Sequence, residues 1–160
     1  MTEVHVEVVE RDVFVRFSFD RAVRDAIELP SGAPVSGRLR ALLYWDLDDD
    51  TRTGLDAGRS DPRTGAERKL EIGVVALGED AQEKRRAQAL IMATLYGLKS
   101  DFAQEVLWRT DNERSDGALS WRADSVEVRL PAALFGHKPA GRVVLTQLGG
   151  ASVGHVAPTR

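Results

Sequence analysis

Short runs in which apolar and polar residues alternate recur along almost this whole sequence, and a period of two leaves room for little besides β-strands. Val4, Val6 and Val8 alternate with His5 and Glu7, and Val13, Val15, Phe17 and Phe19 alternate with Phe14, Arg16 and Ser18. Strand side chains point to opposite faces in turn, so each run buries one face and wets the other. Glu10, Arg11 and Asp12 lie between the two runs, which predicts a hairpin. A third strand is expected from about Arg38 to Trp45, with Leu39, Ala41, Leu43 and Trp45 on one face. Its other face holds Leu42 and Tyr44 beside Arg38 and Arg40, which suits a central position better than an edge. A fourth strand follows from Glu67 to Val75, with Leu70, Ile72 and Val74 inward.

The later chain is less uniform. Residues 81–98 fit two patterns, because Ala87, Leu90, Ile91, Leu95 and Leu98 make a helical stripe while Leu90, Met92, Thr94 and Tyr96 also alternate as in a doubly buried strand. A short polar link to Glu105–Thr110, where Val106 and Trp108 share one face, makes a hairpin of strands the preferred reading. Asp111 to Gly117 reads as a polar turn. Leu119, Trp121 and Ala123, then Val126, Val128 and Leu130, continue a strand pattern until Pro131 stops it. Leu134 and Phe135 plug the core from a short turn, Gly136 to Gly141 is a loop, and Arg142 to Leu148 is a final strand. The fold expected is a single all-β domain over residues 1–160, an antiparallel β-sandwich of about eight or nine strands, with long loops at 20–37 and 46–66 and a frayed tail at 149–160. Within the first loop, Ala22 to Ile27 has the makings of a brief helical turn.

Composition narrows the function classes. A chain of 160 residues can bury one proper core unaided, and 42% hydrophobic with 29% charged residues is an ordinary globular balance. A formal net charge of -3 gives no general attraction to polyanions, so neither nucleic acid nor an acidic membrane is expected as partner. The chain has no cysteine, which removes disulfides, thiolate metal sites and thiol nucleophiles together. No stretch approaches the ~20 apolar residues of a membrane-spanning helix. If Met1 is the natural start, the missing signal peptide predicts a cytoplasmic protein; if the chain is an excised domain, an extracytoplasmic location stays open.

The densest chemistry lies where the third strand runs out. Asp46, Asp48, Asp49 and Asp50 are followed by Thr53 and Gly54 in a loop of unusual length. Carboxylates at alternate positions leaving a strand can curl round one cation, and calcium takes 6 to 8 oxygen ligands in an irregular loop. Asp46, Asp48 and Asp50 supply the spacing, with Asp56, Asp61, Glu67, backbone carbonyls and water to complete the shell. The loop is not an EF-hand: Thr51 stands where the sharp-turn glycine belongs and Ala57 where the final glutamate belongs. The competing reading is an exposed acidic loop neutralised by Arg52, Arg59 and Arg63.

The phrase from Tyr44 through Asp46-Leu47-Asp48-Asp49-Asp50 to Thr53-Gly54, then Gly65-Ala66-Glu67 leading into a strand, resembles a signature of bacterial β-sandwich domains. These are the family 9 carbohydrate-binding modules and the DOMON-like group. Trp121, then Val126 to Pro131 before Leu134, is similar to their late strand closing on a short turn, and the order agrees from about Val4 to Leu148. The resemblance implies a jelly-roll-like sandwich that is non-catalytic, serves as an appendage to exported enzymes or surface proteins, and in some members holds structural calcium. Asp46, Asp48, Asp50, Thr53, Gly54 and Glu67 are the matching positions. The stretch between Gly54 and Gly65, with its own Asp61, Pro62, Arg63 and Thr64, departs from the pattern, as does the missing export signal.

Other chemistry finds less footing. Asp48-Asp49-Asp50-Thr51 superficially resembles an aspartyl phosphotransferase motif, but that reaction needs a parallel α/β sheet for which the alternation leaves no room. His5, His137 and His155 are scattered, and no phosphate-cradling glycine loop occurs. Trp45, Trp108 and Trp121 each fall in phase with apolar neighbours and are expected in the core, which leaves Tyr44 and Tyr96 to face a ligand groove. Arg38, Arg40, Arg52, Arg59, Arg63 and Arg68 read as a solvated, charge-balanced face. The expectation is therefore a non-enzymatic module with metal ligands Asp46, Asp48, Asp50, Asp56 and Glu67, ligand-binding Tyr44 and Tyr96, and calcium as structural cofactor. Its partner is carbohydrate or another protein.

Overall fold

The computed structural model describes residues 3–20, 22–24, 39–77, 88–136, 141–147 and 150–156. Among these it forms ten strands: β1 (Glu3–Val9), β2 (Asp12–Ser18), β3 (Arg40–Asp46), β4 (Arg68–Leu77), β5 (Gln88–Leu98), β6 (Gln104–Asp111), β7 (Leu119–Arg122), β8 (Ser125–Pro131), β9 (Gly141–Gln147) and β10 (Gly150–Val156). Two antiparallel sheets result, ordered β1-β2-β8-β7 and β10-β9-β3-β4-β5-β6. The chain is thus the all-β sandwich that the alternation predicts. The sheets are stitched at β2–β8 and β3–β9, strands about a hundred residues apart in sequence.

The inward faces are those marked by the period of two. Val13, Val15 and Phe17 of β2 and Val126, Val128 and Leu130 of β8 meet Ala41, Leu43 and Trp45 of β3 and Leu70, Ile72 and Val74 of β4. Phe135, in a single 3-10 turn at Ala132–Phe135, sets its ring edge-on to Trp45 at 5.1 Å between centroids. It plugs the core as its sequence context predicts. Met92, Tyr96 and the buried Ile91, Ala93 and Leu95 lie on β5, so strand wins over helix for residues 88–98; residues 78–87 lie outside the described residues. Residues 25–38, with most of the expected first loop and part of the expected helical turn, lie outside as well, as do 137–140 and His137.

Four local expectations are corrected. The pattern from Leu119 to Leu130 is a hairpin: the apolar phase jumps from odd to even numbers at Ala123–Asp124, where the chain reverses and sets the buried Leu119 opposite the buried Val128. The tail expected to fray after 149 instead pairs with β9 through Gly150–Val156, with His155 on that strand, since backbone hydrogen bonding there does not need an alternating sequence. A bulge between Leu95 and Tyr96 sets Leu95 opposite Trp108 but Tyr96 opposite Val106. Val106 therefore faces out, 50% exposed, while Leu107 and Trp108 both pack on the core. Trp121, next to the last residue of the short outermost strand β7, is 39% exposed rather than core, whereas Leu119 at the start of that strand is buried. Trp45 and Trp108 do pack in or against the core as expected.

Truncating Phe135 to Ala should cost about 3–5 kcal/mol, the usual price of a buried aromatic ring, because Trp45 would lose its partner at the sandwich end. Urea denaturation followed by tryptophan fluorescence measures it, and a change below ~1 kcal/mol would show that the ring carries no such weight.

Candidate metal centre

β3 is buried on both faces, which decides where the loop after it must go. Its outer face presents Tyr44, 7% exposed, in a second apolar cluster with Leu55, Ala66, Leu98 and Val144. Leu55 and Ala66 belong to the loop, so the segment between β3 and β4 folds back over the outside of the larger sheet. The amide of Leu55 donates to the Ala66 carbonyl at 2.8 Å and the amide of Gly65 to the Leu55 carbonyl at 2.9 Å. Two glycines make the approach feasible. A Cβ at Gly54, where φ is 62°, would collide with the Ala66 carbonyl, and one at Gly65 would come 2.9 Å from Asp46 Oδ2. The Thr53-Gly54 and Gly65-Ala66-Glu67 phrases are thus the two contacting edges of one folded loop.

Folding back brings Glu67 to the start of the loop. Its carboxylate accepts the Leu47 amide at Oε2 (2.7 Å) and the Thr53 hydroxyl at Oε1 (2.7 Å). Ligand oxygens of Asp46, Asp48 and Glu67 all lie within 4.8 Å of one another. Asp46 is 3% exposed; its Oδ1 accepts the Asp49 amide at 2.7 Å and its Oδ2 accepts Arg142 at 2.7 Å. The same guanidinium nitrogen donates to the Thr64 carbonyl at 2.7 Å. Asp49 takes φ 58°, a left-handed backbone that Asp tolerates better than most residues.

The crowding of oxygens is greatest at Thr53. Its Oγ1 lies 2.7 Å from Glu67 Oε1, 2.9 Å from the Asp50 carbonyl, and 3.1 and 3.2 Å from the two oxygens of Asp48. A hydroxyl has one proton, so it satisfies one of these acceptors and leaves lone pairs facing lone pairs at the others. Burial first, and then the charges of Asp48 and Asp46, push the Glu67 carboxyl above its ordinary range, against the opposing hydrogen bonds from Leu47 and Thr53. Hard oxygen donors, short of protons and mutually repelling, fit a cation such as calcium.

Two of the expected ligands stand apart. Asp50 turns its carboxylate to Arg52, which donates through Nε at 2.8 Å and through a terminal nitrogen at 2.7 Å, and that pairing holds the carboxyl at a pKa of about 2. Asp56 is exposed and accepts the amide of Gly58 at 3.1 Å. Both do what Asp48 also does for the Asp50 amide and Asp61 for the Arg63 amide: each carboxylate caps the amide two residues on. Asx turns reward the same i, i+2 spacing that suggests a curled ligand set. Arg63 pairs with Asp61 at 2.5 Å and lies 5.7 Å from the Tyr44 ring.

Of the tyrosines expected to hold ligand, Tyr44 is buried and Tyr96 half-buried. Tyr44 lies under the folded loop, and Tyr96 is half-buried with Lys69 Nζ 4.1 Å from its ring centroid. Burial leaves Tyr44 no open stacking face, and the Lys69 ammonium stands against the Tyr96 ring. Arg142, the partner of Asp46, was invisible to local spacing; the signal lies in register, since β9 sets Arg142 opposite Asp46. Comparison with protein-family models, curated proteins and solved structures finds no match.

Two measurements probe this geometry. Gly54→Ala should destabilise the fold clearly more than Gly58→Ala, because both have positive φ but a Cβ at Gly58 meets nothing within 4 Å; equal losses in chemical denaturation would remove the steric account. By NMR titration, the Asp50 carboxyl should titrate near pH 2 and move upward in Arg52→Ala. The pairing stabilises above the ordinary carboxylate range and is lost as pH falls toward 2.

Proposed function

We propose that this protein is a non-catalytic binding or accessory module whose 47–67 loop is fixed by a calcium-type ion. Asp46, Asp48 and Glu67 would hold the ion, with the Thr53 hydroxyl beside them. The observation that carries the reading is Thr53 Oγ1 among four acceptor oxygens with a single proton to give. A divalent ion there supplies the positive charge that this oxygen cluster lacks, and it ties the start of the loop to its end. Carbohydrate is the ligand class favoured by the resemblance that Asp46–Gly54 and Gly65–Glu67 carry. A module that contacts another protein is the second reading. Phe102 supports it: held at φ 64° in the β5–β6 connection, it is 62% exposed, and Val106 on β6 of the same hairpin is exposed too.

Thermal unfolding with and without calcium tests the ion. At 100 times its dissociation constant, calcium should add about 2.7 kcal/mol to the native state, and Asp48→Ala should abolish most of that gain. Protons compete for Glu67, so the gain should shrink as pH falls through its raised titration. No shift with calcium, magnesium or manganese would sink the metal site.

A further inference from the structure

The loop that covers Tyr44 also walls off a cleft of about 580 Å³, within the roughly 300–1,000 Å³ of ligand clefts. Its charged lining is three arginines, Arg52, Arg59 and Arg142, against two aspartates, Asp56 and Asp61. The hydroxyls of Ser60 and Ser100 add donors, and no aromatic ring lines the space. A wall with guanidiniums in excess of carboxylates, and with hydroxyls between them, suits an oxygen anion better than a neutral or positively charged group.

The three arginines differ in what already holds them. Arg52 is paired with Asp50 at 2.7 Å, and Asp61 is answered by Arg63, outside the lining, at 2.5 Å. Arg59 is exposed and makes no ion pair among the described residues. Arg142 is the unusual one. A single terminal nitrogen makes its bonds to Asp46 Oδ2 and to the Thr64 carbonyl, while its Nε is buried with no acceptor among the described residues. Buried donors left unpaired are rare and costly, so the guanidinium neutralises Asp46 at the expense of a bond at its own base.

We infer that the cleft binds an oxyanion, a carboxylate or a phosphate group, with Arg59 and Arg142 as its charged donors, and binds it well only when the neighbouring cluster holds its cation. The site so described rests on the proposed reading of the 47–67 loop. Asp46 belongs to the cluster with Asp48 and Glu67, and one carboxylate charge cannot serve an ion and a guanidinium in full. An ion there loosens Arg142 from Asp46 and leaves it to turn toward the cleft that it lines, where its Nε gains an acceptor. A divalent ion also cancels two of the three negative charges of Asp46, Asp48 and Glu67, which otherwise oppose an anion beside them. The coupling is reciprocal, so the anion raises the affinity for the ion by the same factor.

NMR titration of the full chain tests this with propionate and with methyl phosphate, each in calcium and in calcium-free buffer of matched ionic strength, and with propionamide as the neutral comparator. Calcium is titrated first on its own. The expected result is saturable binding of at least one of the two anions, with a shift of the Arg142 Nε–H resonance, weakened about fivefold or more without calcium. Arg59→Ala should weaken it about tenfold with the thermal midpoint unchanged, since that side chain is exposed. Preference for propionate assigns the carboxylate, and preference for methyl phosphate the phosphate ester. If calcium binds but neither anion does, or propionamide binds as well as propionate, or the affinity ignores calcium or Arg59→Ala, the inference is overturned while the ion site stands. If calcium does not bind, the reading of the loop falls and the inference with it.

Discussion

The structure depends on β3 being apolar on both sides. Its inner face, with Ala41, Leu43 and Trp45, is covered by the smaller sheet, but Tyr44 on the outer face has no second sheet to cover it. Water would be left against an aromatic ring in the middle of the larger sheet unless something else packed there. Leu55 and Ala66 do, and their arrival bends the loop into a closed shape with Gly54 against Ala66. Glu67 then has to sit beside Asp46 and Asp48. Hydrophobic burial, rather than attraction among charges, assembles the acidic cluster.

Electrostatics must accommodate what burial imposes. The loop uses most of its carboxylates for local work: Asp48, Asp50, Asp56 and Asp61 each cap an amide two residues on, and Asp50 and Asp61 also pair with arginines. Arg142 reaches across from β9 to neutralise Asp46. What these devices leave over is concentrated at Glu67 and Asp48 around one hydroxyl. Surplus negative charge gathered in one place is a different property from an acidic loop, and it is the property on which the proposed cation site rests.

The sandwich was legible because period-two patterning reports burial directly: Val13, Val15, Phe17, Leu70, Ile72 and Val74 all face inward as read. Reading failed where burial and position along the chain part company. Trp121 keeps the apolar phase yet lies near the end of an outermost strand; Gly150–Val156 has no clear phase yet pairs; Tyr44 reads as free because the loop residues that cover it are eleven and twenty-two positions downstream. At the candidate site, Asp46, Asp48 and Glu67 were readable as a group and do converge. Asp50 reads into it because turn capping and ion ligation favour the same spacing, which sequence alone does not separate, and Asp56 reads into it as a further loop carboxylate to complete the shell. Arg142 required strand register, which no local pattern encodes.

The bulge opposite Leu95 and Tyr96 has an effect beyond the facing of Val106. β6 is the last strand of its sheet, and its outward backbone groups would otherwise form a regular ladder. One extra residue at Leu107 puts that ladder out of step in mid-strand, between the charged Glu105 and Arg109. A foreign strand laid along it could match the hydrogen bonds on one side of the bulge or the other, but not both. The irregularity therefore works against strand addition at the β6 edge, which matters in a protein built of two strand layers.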